Sequence, residues 1–348
     1  MITLKIMYHQ NFESLQVEKK CKNEPNTKII KKVISWTIHN LKFLFIPCYK
    51  SDELTEREFQ HEILFPRKIK LNRYKSPLFI IALISIFIFF TFSIFPYWLS
   101  PYTYTEVTIF QGINVNMQHF APPSPAHPLG QTFKGFDVLA RIIFGARPVF
   151  IFTLVATLIS SLIGILLGSI SGYYNGWLDA ILMRIMDLIL SFPGVVFAIL
   201  FILIFGSDFI MLITAFSIIG IPYFARVLRT SMIKEKESPY ISAARVSGAR
   251  NFRIIFRHIL PNCMQSIIVA ASFNIARNII SLAILGFLRF GDVGWIEWGY
   301  DISQSLNNFY NASWAVFYPA LMILIASMGF LLLGDTLVDN RLIIREVL

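Results

Sequence analysis

The chain has 348 residues, of which 55% are hydrophobic and only 15% are charged, and its mean hydropathy is +0.60. This composition excludes an ordinary soluble domain and is typical of a membrane protein. The formal net charge is +10. No interleaved aromatic and basic pattern accompanies it, so the charge favours a membrane-topology signal over a nucleic-acid-binding surface.

The first 76 residues differ from the rest of the chain. Residues 1–28 are polar and show no signal-peptide pattern, so no cleavage is expected. Residues 29–49 mix apolar and basic positions, which predicts a helix lying on the inner leaflet. A small cytoplasmic helix packed on the rest of the protein is the alternative. We therefore predict a cytoplasmic N-terminal extension over residues 1–76 and a transmembrane domain over residues 77–348.

Six apolar runs are long enough to cross a hydrocarbon core of about 30 Å, which takes roughly 20 helical residues. The fold class predicted is therefore an all-α membrane protein with six transmembrane helices. Pro222 stands near the end of the fourth run and predicts a kink or an early exit there. The six runs lie near Leu78–Leu99, Val149–Gly172, Ile181–Phe205, Phe209–Ala225, Gln265–Leu288 and Trp314–Gly334.

The distribution of Lys and Arg predicts the orientation. Residues 1–77 carry fifteen of these basic residues and residues 226–265 carry eight, whereas residues 97–148 carry three and residues 289–313 carry one. With six spans, both termini and the 226–265 segment share one side of the membrane. The positive-inside rule makes that side the cytoplasm.

The segment before the second span is predicted to lie at the outer surface. Its sequence APPSPAHPLG, from residue 121 to residue 130, is proline-rich and predicts turns. The following FDVLARIIFGARPVF predicts an amphipathic helix that leads to Pro148 at the start of the second span. Within that span Gly164, Gly168 and Gly172 recur every four residues, a spacing that indicates close packing of another helix.

No motif for catalysis, metal binding or nucleotide binding is found. The sequence contains no GxxxxGK[ST] phosphate loop, no HExxH, no GxSxG and no metal-type Cys/His spacing. The three cysteines, Cys21, Cys48 and Cys263, are predicted to be reduced. We therefore expect no cofactor and no enzymatic activity in this chain.

One basic segment between the fourth and fifth spans has a soluble character. Ser238 and Pro239 suit a helix start, and Gly248 is placed to end that helix. A second, amphipathic helix is expected from about Asn251, before Pro261 turns the chain into the fifth span. This pattern is compatible with a surface whose arginines contact lipid phosphates, and also with a surface that contacts another protein.

The spacing of this segment resembles the EAA loop of permease subunits of ATP-binding-cassette (ABC) importers. Ala243-Ala244, three residues, Gly248, nine residues and then HILP reproduce the pattern. Three further stretches resemble motifs of the dipeptide/oligopeptide/nickel branch, and in particular its OppC/DppC-like permease. They are HPLGQTFKGFDVLARIIFGAR (residues 127–147), GYYNGWLDAILMRIMDLILSFP (residues 172–193) and LLGDTLVD (residues 332–339).

The resemblance implies a type I ABC importer permease fold with a cytoplasmic coupling loop over residues 234–262. It also implies these partners: a second homologous permease, two ATPase subunits that bind the ATP, an extracellular solute-binding protein and the lipid bilayer. The chain departs from the pattern at Ser242, which replaces the motif Glu. The ATPase-docking residues implied are Tyr240, Ser242, Ala243, Ala244, Arg245, Gly248, Arg257 and Pro261.

The fifth span carries a polar group of residues. Asn274, Arg277 and Asn278 lie three and four residues apart and are expected to share one helix face. An arginine inside a membrane helix costs about 3 kcal/mol or more unless it meets water or a partner. The resemblance implies that this helix lines the translocation path. Pairing of Arg277 with an acidic group of the companion permease is the alternative.

Two other classes of function remain for a six-span bundle. A self-sufficient carrier or channel is disfavoured because no internal repeat is evident and Arg277 is the sole charged candidate near the midplane. A membrane-embedded enzyme is disfavoured because no paired acid and base or metal constellation is present. The preferred hypothesis is an importer permease in the plasma membrane of a prokaryote. Dipeptides, oligopeptides, nickel chelates and oligosaccharides all remain open as substrates.

Overall fold

The computed structural model describes residues 76–108, 119–290 and 295–338, and helices dominate these ranges. The predicted N-terminal extension, with its helix over residues 29–49, lies outside the described residues. The described helices are α1 (Pro77–Ile94), α2 (Pro96–Leu99), α3 (Tyr104–Thr108), α4 (Val138–Tyr174), α5 (Gly176–Leu190), α6 (Gly194–Phe205), α7 (Phe209–Lys236), α8 (Pro239–Val246), α9 (Asn251–Phe287), α10 (Trp298–Ser305) and α11 (Trp314–Leu337).

Five of these helices, α1, α4, α7, α9 and α11, are each long and apolar enough to cross a membrane. The pair α5 and α6 qualifies as a sixth span only when taken together. This count agrees with the six predicted spans, and the helical fold class is confirmed.

The third predicted span, Ile181–Phe205, is not one continuous helix. Helices α5 and α6 meet at an angle of 81° across the break at residues 191–193. Pro193 explains the break, because proline has no N–H for the helical ladder and disfavours helical geometry in the residue before it. The third predicted span is therefore a pair of helices broken at residues 191–193.

At three other prolines the helix boundaries differ from the predicted ones. The first span ends at Ile94 rather than Leu99, because Pro96 starts the separate short helix α2. By contrast, α4 continues through Pro148 and α7 through Pro222 as far as Lys236. Of the kink or early exit predicted at Pro222, the early exit is wrong. The helix predicted before Pro148 is present from Val138 and is continuous with the second span. A packed membrane helix tolerates an internal proline because neighbouring helices satisfy the backbone it frees.

The glycine stripe of α4 packs against α7 as the spacing predicted. A Cβ added at Gly164 would lie 2.5 Å from Cβ of Phe224, and one at Gly168 would lie 2.6 Å from the carbonyl oxygen of Ala225. One at Gly172 would lie 2.7 Å from Cβ of Met232. Any larger residue would force the two helices apart, so the stripe sets their separation.

Buried charges hold the end of the bundle at which α9 finishes and α10 begins. Nε of Arg141 donates to Oδ2 of Asp301 at 2.7 Å, and Nη2 pairs with the same carboxylate. Nη1 donates to the carbonyl oxygen of Val107 at 2.8 Å. Glu297 accepts backbone N–H bonds from Gly299 and Tyr300 and so begins α10. Burial raises the pKa of the Glu297 carboxyl to about 8. This end of the fold is therefore fixed by polar contacts inside an apolar bundle.

Candidate functional site

The short helix α8 stands between the two long helices α7 and α9. Ser238 is its N-cap residue, although its side chain makes no capping bond, and Pro239 occupies the first turn. At the other end Gly248 has a φ of +79°, and the N–H groups of Gly248 and Ala249 donate to the carbonyls of Arg245 and Ala244. These two bonds form a Schellman motif, which requires the left-handed residue that glycine supplies. The predicted helix followed by a glycine turn is confirmed.

Two adjacent residues attach α8 to the bundle. Ile241 is fully buried and packs in a cluster that includes Ile254 and Ile259 of α9. The Tyr240 hydroxyl donates to Oε1 of Glu235 at 2.6 Å and accepts from Nδ2 of Asn262 at 2.7 Å. Burial and the neighbouring Glu235 raise the pKa of Tyr240 to about 12, so the phenol stays protonated. One hydroxyl thus joins the last turn of α7, helix α8 and the membrane part of α9.

The opposite side of α8 is largely exposed in the part of the chain that the structure describes. Ser242, Ala243 and Arg245 are exposed, Ala244 is half-buried, and Val246 is 90% exposed. Gly248, Arg257 and Pro261 are also exposed. Phe252, at the start of α9, is 72% exposed and extends the apolar part of this surface. All eight predicted docking residues are therefore at least partly exposed, and among them the Tyr240 hydroxyl is already bonded inside the chain.

The chain does not turn at Pro261 as predicted. Helix α9 runs from Asn251 to Phe287 and takes π-helical form over Ile254–Ile259. Pro261 can donate no N–H, and its ring would crowd the carbonyl of Arg257 in a regular α-helix. The wider π-helical turn just before it accommodates the proline, so the amphipathic segment and the fifth span form one rigid rod.

Polar contacts near α8 bind α5 and α4 to the same end of the bundle. Nε and Nη2 of Arg229 each donate to Asp179 at 2.6 Å, and Arg226 pairs with Asp187. The Tyr173 hydroxyl donates to Asn251 at 2.8 Å. Sequence reasoning did not assign these residues. A signal was available, because Asp179 and Asp187 are two carboxylates inside the largely apolar stretch at residues 172–193.

A second polar group lies within the membrane part of α9. Oγ1 of Thr157 donates to Oδ1 of Asn274 at 3.0 Å, and Nδ2 of Asn278 donates to the same oxygen at 3.0 Å. Asn274 and Asn278 are both buried. The two asparagines therefore fix the rotation of α9 against α4.

Arg277 does not share that buried face. Its side chain is exposed, and its guanidinium carbon lies 5.1 Å from the centre of the Tyr223 ring of α7. Arg277 lies about 100° from Asn278 and about 60° from Asn274 around the helix, and its exposure contrasts with the burial of both asparagines. The expected single polar face is wrong. The structure separates two anchoring asparagines from one exposed arginine.

The described ranges contain no group of three or more His, Cys, Asp or Glu side chains that could hold a metal ion. Cys263, the one cysteine in the described part of the chain, is buried and unpaired with another sulfur. The chemistry available is recognition by exposed side chains and movement of packed helices. The described helices form an apolar bundle of membrane-spanning segments, and the short exposed helix α8 links two of them.

Comparison with known proteins places the chain more narrowly. Residues 164–341 match the family described as binding-protein-dependent transport system inner membrane component. The chain belongs to this family. It is a multi-pass membrane protein and a permease subunit of an ABC importer, a class that works with a partner permease and ATPase subunits and is not an enzyme.

Three curated relatives cover most of the chain. The dipeptide transport system permease protein DppC of Escherichia coli (strain K12) is 38% identical over 267 residues, 75% of this chain and 87% of its own. DppC of Alkalihalophilus pseudofirmus is 35% identical, over 76% of this chain and 85% of its own. The glutathione transport system permease protein GsiD of Shigella flexneri serotype 5b is 35% identical, over 84% and 93% respectively. The resemblance to OppC/DppC-like permeases is confirmed.

Proposed function

We propose that this permease subunit, paired with a second homologous permease, carries dipeptides or similarly small peptides across the plasma membrane of a prokaryote. The substrate class is proposed because the relatives at 35–38% identity are named for dipeptide and glutathione transport. Two ATPase subunits and an extracellular solute-binding protein complete the complex. ATP belongs to the ATPase subunits, and this chain holds no cofactor.

The observation that carries the coupling role is the exposure of α8. A helix of eight residues with one buried side chain, Ile241, has too little packing within the chain to serve the fold alone. Its free side offers Ala243 for close approach, Arg245 for a carboxylate and Val246 for an apolar contact. We assign this side, with Ser242, Ala244, Gly248, Arg257 and Pro261, to the ATPase contact.

Ser242 occupies the place of an acidic residue in the related motif. It is exposed on α8, and a neutral hydroxyl cannot form an ion pair with the ATPase. We therefore assign hydrogen bonding or close packing to Ser242. Glu235 is a carboxylate that the structure ties to α8, and it already accepts a hydrogen bond from the Tyr240 hydroxyl.

The coupling mechanism follows from how α8 is attached. Closure of the two ATPases on ATP would displace α8, and its rigid links to α7 and α9 would carry that displacement into the membrane helices. Such a link between two discrete states is what mechanical coupling requires. Helix α9 extends unbroken from Asn251 to Phe287, so motion at one end reaches the other.

The orientation proposed places both termini and α8 in the cytoplasm, because that side carries the excess of Lys and Arg. Cysteine labelling in intact cells tests it, after the three native cysteines have been replaced. A reagent that cannot cross the membrane should modify Ser124→Cys and leave Ser242→Cys unmodified; both positions are exposed in the structure. The reverse pattern would overturn the orientation and the coupling role of α8 with it.

Reconstitution of the complete complex in vesicles tests the function itself. ATP-driven uptake of a dipeptide, dependent on the solute-binding protein, is the expected result. Uptake that proceeds without the ATPase subunits would contradict the proposal, because it would make the bundle a self-sufficient carrier.

A further inference from the structure

Arg277 is the sole charged residue between Leu260 and Phe287, the membrane part of α9. It stands ten residues before the end of the helix, which corresponds to about 15 Å at the usual rise per residue. This position is close to the middle of a hydrocarbon core about 30 Å thick. Ionisable residues at such depth generally face water or a charged partner and mark ligand pathways.

The structure holds Arg277 in place without satisfying its charge. Its guanidinium lies over the ring of Tyr223 at 5.1 Å, a cation–π contact. In the described ranges it forms no ion pair and no hydrogen bond. On the buried side of α9, Asn274 and Asn278 are bonded to Thr157 and prevent the helix from rotating Arg277 inward.

We propose that Arg277 binds the carboxylate of the transported solute during its passage. The planar guanidinium presents paired N–H donors that match a carboxylate, and this recognition is stronger than a point charge provides. The Tyr223 ring contacts the cation whether or not an anion is bound. A site that fills and empties in each transport cycle needs that stabilisation in its empty state.

This inference rests on the proposed function and makes it more specific. A free carboxylate on the solute becomes a requirement of the permease itself, in addition to any requirement of the solute-binding protein. An acidic residue of the companion permease could also supply the carboxylate that Arg277 binds. The experiment therefore has to separate a solute carboxylate from a permanent ion pair between the subunits.

The test compares uptake of alanylalanine and of its C-terminal amide by the reconstituted complex. Both peptides are supplied at concentrations that saturate the solute-binding protein, as measured separately. We expect Arg277→Gln to lower uptake of the free peptide about tenfold or more, the usual effect of losing a hydrogen bond to a charged group. Uptake of the amide should change little. Arg277→Lys should retain part of the preference.

Ile284→Gln is the matched control, because Ile284 is also exposed on α9, two turns further along. It should affect both peptides equally. An equal loss of both peptides in Arg277→Gln would overturn the inference. Loss of the companion permease on purification would overturn it too and assign Arg277 to the subunit interface. Failure of the unmodified complex to take up either peptide would instead contradict the proposed function.

Discussion

The hydroxyl of Tyr240 donates a 2.6 Å hydrogen bond to Glu235, five residues earlier in the chain, across the junction between α7 and α8. Asn262 donates to the same hydroxyl at 2.7 Å. Because its pKa is raised to about 12, the phenol keeps its proton at physiological pH. Together with the apolar contact of Ile241, these two bonds attach α8 to α7 and α9.

Tyr240→Phe removes this hydroxyl and keeps the ring. We expect the variant complex to assemble, because Ile241 still packs in its cluster. We expect fewer solute molecules to be transported per ATP hydrolysed, because α8 can then move without both long helices. The ratio of uptake to phosphate release in vesicles measures this effect. Ser247→Ala, which removes only a hydroxyl bonded within α8, is the control, and an unchanged ratio in Tyr240→Phe would remove the coupling role of the bridge.

Gly248→Val should misplace α8. The residue has a φ of +79° with no atom near an added Cβ, so the strain comes from backbone conformation alone. A left-handed conformation costs a β-branched residue about 1 kcal/mol or more. Stimulation of ATP hydrolysis by the loaded solute-binding protein should be lost. Gly206→Val carries at least as much backbone strain, at a φ of +98° and a ψ of 165°, also in open space. It should keep the stimulation because Gly206 lies at the end of α6, away from α8.

Gly168→Val should destabilise the contact between α4 and α7. Its Cβ would lie 2.6 Å from a backbone oxygen of Ala225, which cannot move aside as a flexible side chain would. Overpacking of this kind typically costs about 1–3 kcal/mol. A lower apparent melting temperature of the purified complex is the expected result. Leu166→Val, at an exposed position of the same helix, should lower the melting temperature much less. Equal decreases in the two variants would argue against close packing at the glycine stripe.

The buried Glu297 makes stability depend on pH. Its pKa is about 8 in the folded protein against 4.5 for a free carboxyl, so the folded state binds more protons than the unfolded state between these values. The free energy of unfolding therefore falls as the pH rises from about 5 to about 8. Burial also raises the pKa of Asp301, with Arg141 opposing, which adds to the same trend.

Melting temperatures measured across this pH range test the effect. Glu297→Gln should flatten the decline of the melting temperature with pH, because the amide does not titrate. The amide keeps an acceptor for one of the two N–H groups, those of Gly299 and Tyr300, so the whole curve should also be lower. Glu106→Gln serves as the control, since bonds from Thr103 lower the pKa of this exposed carboxyl and it titrates below the range. A slope unaffected by Glu297→Gln would assign the pH dependence to other groups.

Periodicity and motif spacing predicted most of the fold and the location of the candidate site. The glycine stripe, the helix start at Ser238 and the turn at Gly248 all follow from local chemistry, and the structure contains each of them. The effect of each proline could not be predicted, because it depends on packing. Pro193 breaks a helix, whereas Pro222 is buried inside one.

The contacts of the site were less accessible to sequence reasoning. The bridge at Tyr240 joins residues 22 positions apart, and the Asp179–Arg229 pair joins residues 50 apart, so no local pattern reports them. The separation of Arg277 from the asparagines is a matter of helical angle. To predict that separation, one must know which side of α9 meets α4, and this is a tertiary property.

The central claim is that the free side of α8 contacts an ATPase subunit, and site-specific photocrosslinking tests it most directly. A benzophenone amino acid is placed at position 246, where Val246 is 90% exposed, and at position 98, where Trp98 of α2 is 89% exposed just after the first span. In the co-expressed complex, irradiation should join position 246 to an ATPase subunit and leave position 98 unlinked to it. An adduct between the ATPase and position 98, or between the solute-binding protein and position 246, would contradict the account.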